Sequence, residues 1–380
     1  MDLTDLRCEI DQIDEQLVDL FVQRMEITEE IARFKQANNL PVADPARERD
    51  KIVDVAARVD AGMHTYTDAL YSLIFELSRT HQEKQLHRDS PLAGVITEAI
   101  ENTEKLFPTR PIIACPGVEG SYSQLACEKL FPAPNIMFFN TFESVFSAID
   151  NGLCRYGVLP LENSTAGSVN KIYDLMMHYD FSIVRSARLK VDHSILANRG
   201  AKLSDIKEIY SHEQALNQCE SFLKTLGSVK ISTCENTAIA AKMVFESGRT
   251  DVAAFSSLNC AEIYGLDCLC ESVQDQGNNY TRFICISKKL EIYPGADKTS
   301  IMMVLPHKPG SLYKVLARFF ALGINLIKLE SRPLPNSDFE FMFYFDLDTS
   351  IYSDQFIQLI CGLDSISSEF KYLGSYTEVV

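Results

Sequence analysis

Residues 278–283 read NNYTRF, a polar run that sets one hydroxyl beside one cation, Thr281 and Arg282, between the apolar stretches CLCESV (268–273) and ICISKK (284–289). Both flanks read as strands, so the run lies at the edge between them. By itself it is a loop of solvated polar residues, and only the surrounding chain says more. From Pro111 to about residue 288, short β-rich runs (IIACPG, YGVLPL, SIVRSARL, EIYSH, VAAFSS, RFICIS) alternate with helical stretches, the pattern of α/β layering. From Thr299 a smaller order follows: TSIMMVL, a helix from Ser311, INLIKLESR, FEFMFYFDLD, a helix near 352–362 and a last strand near 370–378. That β-α-β-β-α-β order is the ferredoxin-like split βαβ. Residues 1–88 instead carry helical periodicity with almost no strand signal, and the polar stretch 89–109 reads as a linker. The expected architecture is multidomain: all-α helical over 1–88, α/β over 110–288 and ferredoxin-like α+β over 297–380.

Composition narrows the function. A chain of 380 residues, 46% of them hydrophobic, can build two or three cored domains. No apolar run approaches the ~20 residues of a membrane span, so no membrane partner is expected. The start, MDLTDLRCEIDQIDEQ, lacks an apolar signal core, which implies a cytoplasmic protein. Eleven cysteines lie scattered in apolar stretches without the spacing of a zinc site; they read as reduced core thiols, and no metal or other cofactor is expected. A net charge of −16 offers no basic stripe for nucleic acid. An anionic substrate therefore needs a local cationic cluster.

The first helix supplies cations. Leu3, Leu6, Ile10, Ile13, Leu17, Leu20, Ile27, Ile31 and Phe34 recur at steps of three and four, and position 24 of that seam is arginine. A guanidinium there must snorkel out or meet an anion. Arg7 and Lys35 lie on the same helix, and along its axis Arg7 is ~25 Å from Arg24 and ~40 Å from Lys35. One chain cannot bring them together, whereas an antiparallel partner helix can, and a full-length apolar seam calls for a partner. A homodimer or higher homo-oligomer with composite sites is expected. Asp44 reads as an N-cap with Pro45 at the first helical position. Arg47 and Glu48 fall in that helix's first turn, where a cation is electrostatically unfavourable and hints at a ligand. Ser78 and Gln82 lie one turn apart on a third helix.

LRCEIDQIDEQLVDLFVQR (6–24), IARFKQ (31–36), DPARERD (44–50) and ELSRTHQ (76–82) resemble, in order and spacing, the all-helical chorismate mutases. The resemblance implies that Arg7 of the partner, Arg24 and Arg47 hold the carboxylates and hydroxyl region of chorismate. It puts Lys35 and Gln82 on the ether oxygen and Glu48 on the ring hydroxyl, with Asp44 and Ser78 completing the pocket. The chemistry agrees: a Claisen rearrangement is unimolecular and needs only confinement of a flexible dianion and stabilisation of the breaking C–O bond.

In the α/β segment, GVEGSYSQLACEKLF (117–131) sets Gly117, Gly120, Ser121 and Ser123 in a strand-to-helix turn, where backbone N–H groups can meet an anion. Glu162, Asn163 and Ser164 follow an apolar strand, and Ser211, His212 and Gln218 span another strand-to-helix turn; singly, each reads as a capping residue. PLENSTAGS (160–168), SHEQALNQC (211–219) and NYTRF (279–283) together are similar to prephenate dehydratase. The implied fold is two α/β lobes, periplasmic-binding-protein-like, with the active site in the cleft. Thr281, Asn163 and Glu162 would then carry catalysis, and Ser121, Ser164, Ser211, Gln218 and Arg282 would bind substrate. Arg282 is either a carboxylate anchor or the pairing residue of Glu162. Glu213 stands where the family usually has proline and adds a negative charge.

HKPGSLYKVLARFFALGINLIKLESRP (307–333) looks like the ACT domain of this dehydratase family. The resemblance implies a phenylalanine site at Pro309, Gly310, Ser311 and Leu312 and at Glu330, Ser331, Arg332 and Pro333. The whole then reads as a bifunctional enzyme taking chorismate to prephenate and prephenate to phenylpyruvate, inhibited by phenylalanine. Two rivals stand beside it: a non-catalytic two-lobed binding protein with an amino-acid sensor, and an enzyme with only one of the activities.

Overall fold

Asp2 opens the first helix with a capping box: its carboxylate accepts from the N–H groups of Thr4 and Asp5, and the Asp5 carboxylate accepts from the Asp2 N–H. The computed structural model describes residues 2–86, 91–334, 340–363 and 367–380. It forms two units, one of Met1–Glu98 and Met303–Lys371, the other of Ala99–Met302 and Tyr372–Val380.

In the first unit, α1 (Leu3–Ala37), α2 (Pro45–Ala56) and α3 (His64–Leu86) pack with α1 and α2 both against α3. Asp44 caps α2, accepting from the Arg47 N–H at 3.0 Å, with Pro45 first in the helix. Helix α1 carries two stripes. Phe21, Arg24, Met25, Thr28, Ala32 and Lys35 are wholly or partly buried, while the nine apolar seam residues are 43–64% exposed. Arg24 thus belongs to the stripe facing α3, at the border of the exposed seam. Helix α4 (Pro91–Asn102) occupies a stretch expected to be linker. Its Ile96 and Ala99 are buried, and the Thr103 hydroxyl just beyond accepts from the Ile292 N–H at 3.0 Å. The correction has a plain cause: PLAGVITEAIEN spaces its apolar residues helically but breaks them with Gly94.

The second unit runs β1 (Ile112–Pro116), α5 (Tyr122–Leu130), β2 (Asn135–Phe139), α6 (Phe142–Asp150), β3 (Tyr156–Asn163), β4 (Gly167–Ser168), α7 (Asn170–His178) and β5 (Ser182–Lys190). It continues with β6 (Ser194–Ala197), β7 (Glu208–Ser211), α8 (Glu213–Gln218), α9 (Glu220–Thr225), β8 (Lys230–Thr233), α10 (Thr237–Ser247), β9 (Val252–Ser256), α11 (Asn259–Tyr264), β10 (Asp267–Cys270) and β11 (Tyr280–Ser287). Two lobes result. Strands β10-β6-β9-β7-β8 form one sheet, and β11 returns to lie between β5 and β3 in the other. NNYTRF is this second crossing between lobes, and its last four residues already belong to β11. Apolar residues of β1, β3, β5 and β11 fill the core beneath the sheet that holds β11.

Beyond it come β12 (Lys298–Val304), α12 (Ser311–Ala321), β13 (Asn325–Pro333), β14 (Phe341–Asp348), α13 (Asp354–Leu363), β15 (Glu369–Tyr376) and β16 (Glu378–Val379). The sheet order β13-β14-β12-β15 is that of a ferredoxin-like split βαβ. The last strand was expected to continue to 378. Instead β15 ends at Tyr376, and Glu378 and Val379 pair in parallel with Ser186 and Ala187 of β5. Among the described residues no helix is long and apolar enough to cross a membrane.

Candidate active sites

The α3 face turned toward α1 holds one polar cluster. The Arg24 guanidinium donates to the Ser78 hydroxyl and lies 6.0 Å from the centre of the Phe75 ring. Burial lowers its pKa, as expected of a cation partly withdrawn from water. Ser78 in turn donates to the Ile74 carbonyl at 2.6 Å. One turn on, Gln82 is buried, and its Oε1 has no hydrogen-bond partner among the described residues. Lys35, half-buried at the far end of α1, donates to the Val42 carbonyl in the loop before α2. Glu48 accepts from Arg79, and Arg79 also donates to Glu76 at 2.5 Å. Glu48 therefore already has a cation. Arg47 is exposed, as is Arg7 near the other end of α1. The fold brings together Arg24, Ser78 and Gln82; it does not bring Arg7 to them. Arg79 was missed, although it sits inside ELSRTHQ.

In the second unit the two crossing segments meet. Thr281 of β11 is the register partner of Asn163 of β3, and Arg282 that of Glu162. Asn163 Oδ1 accepts from the Thr165 N–H, the Ala166 N–H and the Thr165 hydroxyl at 3.0, 2.9 and 2.7 Å. Three donors fix which end of the amide is oxygen. Its Nδ2 then donates to Thr281 Oγ1 at 2.9 Å and to Asn279 Oδ1 at 2.8 Å. Asn279 donates to Gln218 Oε1 at 2.9 Å, and Gln218 donates to Thr165 Oγ1 at 2.7 Å. The ring closes with every bond running the same way round. Gln218 comes from the second lobe, so the ring also ties the lobes together. His193 Nε2 lies 3.1 Å from Gln218 Oε1; since that oxygen is an acceptor, Nε2 carries the proton. Burial lowers the His193 pKa.

Thr281, accepting from Asn163, is left with its own proton to donate. That is the consequence of the ring for chemistry.

Other expected residues take different places. Arg282 is buried, with Nε 3.0 Å from Glu162 Oε1. Of its two roles, the geometry is that of the pair, and it commits Glu162 as well. Ser164 donates to the Asn278 carbonyl at 3.0 Å and accepts from the Tyr280 N–H at 2.9 Å, so it clasps NNYTRF and its proton is not available to a substrate. Ser211 is fully buried and donates to the Phe255 carbonyl at 3.1 Å; it pins β7 to β9, and its proton is taken. Ser121 is the N-cap of α5. The anion cradle expected around it is largely filled from within. The N–H of Gly117 bonds the Phe139 carbonyl, that of Ser121 the Val118 carbonyl, and that of Gly120 the Gln124 side chain. His212 caps α8, as its capping reading has it. Thr165 and Asn279 were missed as functional residues although both lie inside the quoted motifs. His193 is a lone histidine in VDHSIL, which carries no signal of its own.

In the ferredoxin-like module a cleft of about 390 Å³ opens at the start of α12, with Leu305, Pro306, Pro309, Leu312, Phe341 and Phe343 among its walls. Ser311 and Lys308 reach it too. Gly310, at φ 84°, turns the chain into the helix in the left-handed region that favours glycine. The Ser311 N–H bonds the Lys308 carbonyl, so a carboxylate must use N–H groups deeper in the first turn. Ser331 and Pro333 pair with Phe343 and Phe341 across β13 and β14 and share their face of the sheet. Glu330 and Arg332, opposite Tyr344 and Met342, lie on the other face and are not brought to the cleft.

A chorismate mutase type II family model matches residues 6–83, and a prephenate dehydratase model matches residues 113–291. The bifunctional chorismate mutase/prephenate dehydratase of Escherichia coli (strain K12) is 30% identical over 382 residues, covering 98% of this chain and 95% of its own. The chloroplastic arogenate dehydratase/prephenate dehydratase 2 of Arabidopsis thaliana is 35% identical over 316 residues, 78% of this chain and 81% of its own. The solved prephenate dehydratase of Arthrobacter aurescens, in complex with L-Phe, has a TM-score of 0.65 at 28% identity, covering 70% of this chain and 90% of that one. The two matched regions contain the Arg24–Ser78 cluster and the Asn163–Thr281 pair respectively, and the near full-length likeness joins them in one polypeptide. The chain belongs to the family of bifunctional chorismate mutase/prephenate dehydratases.

Proposed function

We propose that the two activities of this enzyme, chorismate to prephenate and prephenate to phenylpyruvate, are housed respectively in the α1–α3 pocket and at the Asn163–Thr281 pair, with phenylalanine as the inhibitory ligand of the C-terminal cleft. The observation that carries the dehydratase reading is the hydrogen bond from Asn163 to Thr281. It leaves the Thr281 proton to the ring hydroxyl of prephenate. As that C–O bond breaks, the electrons of the bond to the ring carboxylate flow into the ring and CO2 departs. The hydroxide leaves as water, its proton drawn from the donor and restored from solvent. Aromatisation drives the step, so a neutral donor and a fixed geometry suffice. A coupled assay that starts from chorismate and follows phenylpyruvate tests both activities at once; phenylpyruvate formed from prephenate but not from chorismate would leave the dehydratase alone.

In the mutase, Arg24 and Arg47 would hold the carboxylates, and Lys35 with Gln82 the ether oxygen. Arg7 would enter from the partner chain. The exposed apolar seam of α1 supports that partner: nine large side chains left in water along one helix are the mark of an interface. Arg7→Ala and Arg24→Ala chains, each inactive alone as mutases, are expected to regain up to about a quarter of wild-type activity when refolded together, because mixed dimers hold one intact site. Mixed dimers without activity would refute the sharing.

For phenylalanine, the apolar walls of the cleft suit a phenyl ring, and the start of α12 suits a carboxylate. The relative solved with L-Phe supports this reading. A ligand outside the catalytic cleft acts through differential affinity for two arrangements of the protein, typically ~1–3 kcal/mol or a 5- to 150-fold change in affinity. Calorimetry is expected to register phenylalanine binding to the full-length chain, and Leu312→Asp to abolish both binding and inhibition while basal dehydratase turnover is kept. Heat-silent titration at millimolar phenylalanine would end the regulatory proposal. We place these reactions in the cytoplasm, a reading supported by the free thiols, both buried and exposed.

A further inference from the structure

Helix α12 buries an arginine. Arg318 is wholly inaccessible, on the same face as Val315 and Phe319, where an apolar residue would pack without any desolvation cost. Its Nε lies 3.1 Å from Glu76 Oε1, and its Nη2 donates to Glu83 Oε2 at 2.6 Å. Both carboxylates are themselves buried on α3. Helix α13 makes room for the group: a Cβ at Gly362 would stand 2.0 Å from Arg318 Nη1 and 2.6 Å from Glu83 Oε2. The glycine is required by the arginine, which is a second sign that the guanidinium is a fixed part of this packing.

The chain of charges continues. Glu76 gives its other oxygen to Arg79, and Arg79 donates to Glu48. Glu48–Arg79–Glu76–Arg318–Glu83 is thus one connected line of ion pairs that joins the first turn of α2, α3 and α12, with Arg318 and Glu83 separated by 235 residues in sequence. Glu83 adjoins Gln82, and Glu76 lies on the turn that carries Ser78. An arginine held between two carboxylates, by a hydrogen bond to Glu83 and an ion pair with Glu76, fixes the angle and register of α3 in a way that apolar contact does not, because both charges must stay beside the planar guanidinium.

We propose that Arg318 is a positioning residue of the mutase: α12 of the C-terminal module holds Glu76 and Glu83 of α3 and, through Arg79, sets Glu48, so that this arginine tunes mutase turnover without itself lining the pocket. This rests on the reading of Glu48, Ser78 and Gln82 as mutase-pocket residues.

The test uses the full-length chain, with dehydratase turnover on supplied prephenate as the internal control for folding. Arg318→Met is expected to lower mutase kcat about tenfold or more, with dehydratase kcat/KM within twofold of wild type. Arg318→Lys keeps the charge but as a compact ammonium without the planar spread that reaches Glu76 and Glu83, and is milder to folding; it is expected to lose mutase kcat severalfold with little change in KM. Arg79→Met combined with Arg318→Met is expected to lose no more than the worse single variant, since both break the same line; independent, multiplying losses would overturn the proposal. Glu48→Gln separates the two readings. If it impairs the mutase while both Arg318 variants keep wild-type kcat, Arg318 only glues the helices and the proposal falls. If Glu48→Gln itself leaves the mutase unchanged, the pocket reading has failed and takes the proposal with it.

Discussion

Thr281→Ala is expected to lower dehydratase turnover by about 10²-fold or more, with the KM for prephenate near that of wild type and mutase activity intact. The size follows from what the hydroxyl does. It accepts from Asn163 Nδ2 at 2.9 Å, so its own proton is left to donate, in the proposed reaction to a group whose need for a donor grows as the C–O bond breaks. An interaction made chiefly in the transition state affects kcat more than KM. The fold should tolerate the change. Strand β11 is paired on both sides, with β3 and with β5, and the ring of Asn163, Thr165, Gln218 and Asn279 closes without Thr281. Thr281→Ser keeps the donor but loses the methyl group that restricts its rotamer, and should retain part of the activity. Steady-state kinetics on prephenate decide it: an alanine variant within about threefold of wild type would return NNYTRF to a crossing loop with no chemistry.

The second large effect is expected at Lys35. Replacing it by alanine should reduce mutase turnover by roughly 10²-fold or more, because in the proposed pocket the ammonium is the cation that meets the ether oxygen as negative charge develops there. Dehydratase activity on supplied prephenate should survive, since Lys35 and Thr281 belong to separate units. Without substrate the ammonium rests on the Val42 carbonyl. That contact is exchangeable: a neutral carbonyl holds an ammonium less firmly than a dianionic ligand. Lys35 is only half-buried, so the loss should appear in turnover while the melting temperature stays close to that of wild type. Mutase turnover within threefold of wild type would remove Lys35 from the site.

What the sequence by itself determined is local and periodic. Steps of three and four marked α1 almost to its ends, Asp44 with Pro45 marked the start of α2, and the alternation of short apolar runs with helices marked the two-lobed segment and the ferredoxin-like order after it. Motif content did the rest: ELSRTHQ, PLENSTAGS and NYTRF hold most of the side chains that the two clusters use. These are properties of neighbours in sequence, where backbone preference and side-chain spacing act directly. Tertiary structure decided what depends on distant partners. Whether a polar side chain is free for a ligand or spent on the protein is set by what packs against it. Ser164 and Ser211 proved to be pins, Glu162 and Arg282 a pair, and the Gly117–Ser121 turn an already bonded loop. The same holds for α4, whose burial outweighs its glycine, and for β16, a two-residue strand too short to carry a pattern. It holds most plainly for Arg318. In sequence it is one cation on an amphipathic helix, expected in water; only the approach of Glu76 and Glu83 from a helix more than two hundred residues away lets it be buried, since a guanidinium can leave water only where opposite charges await it.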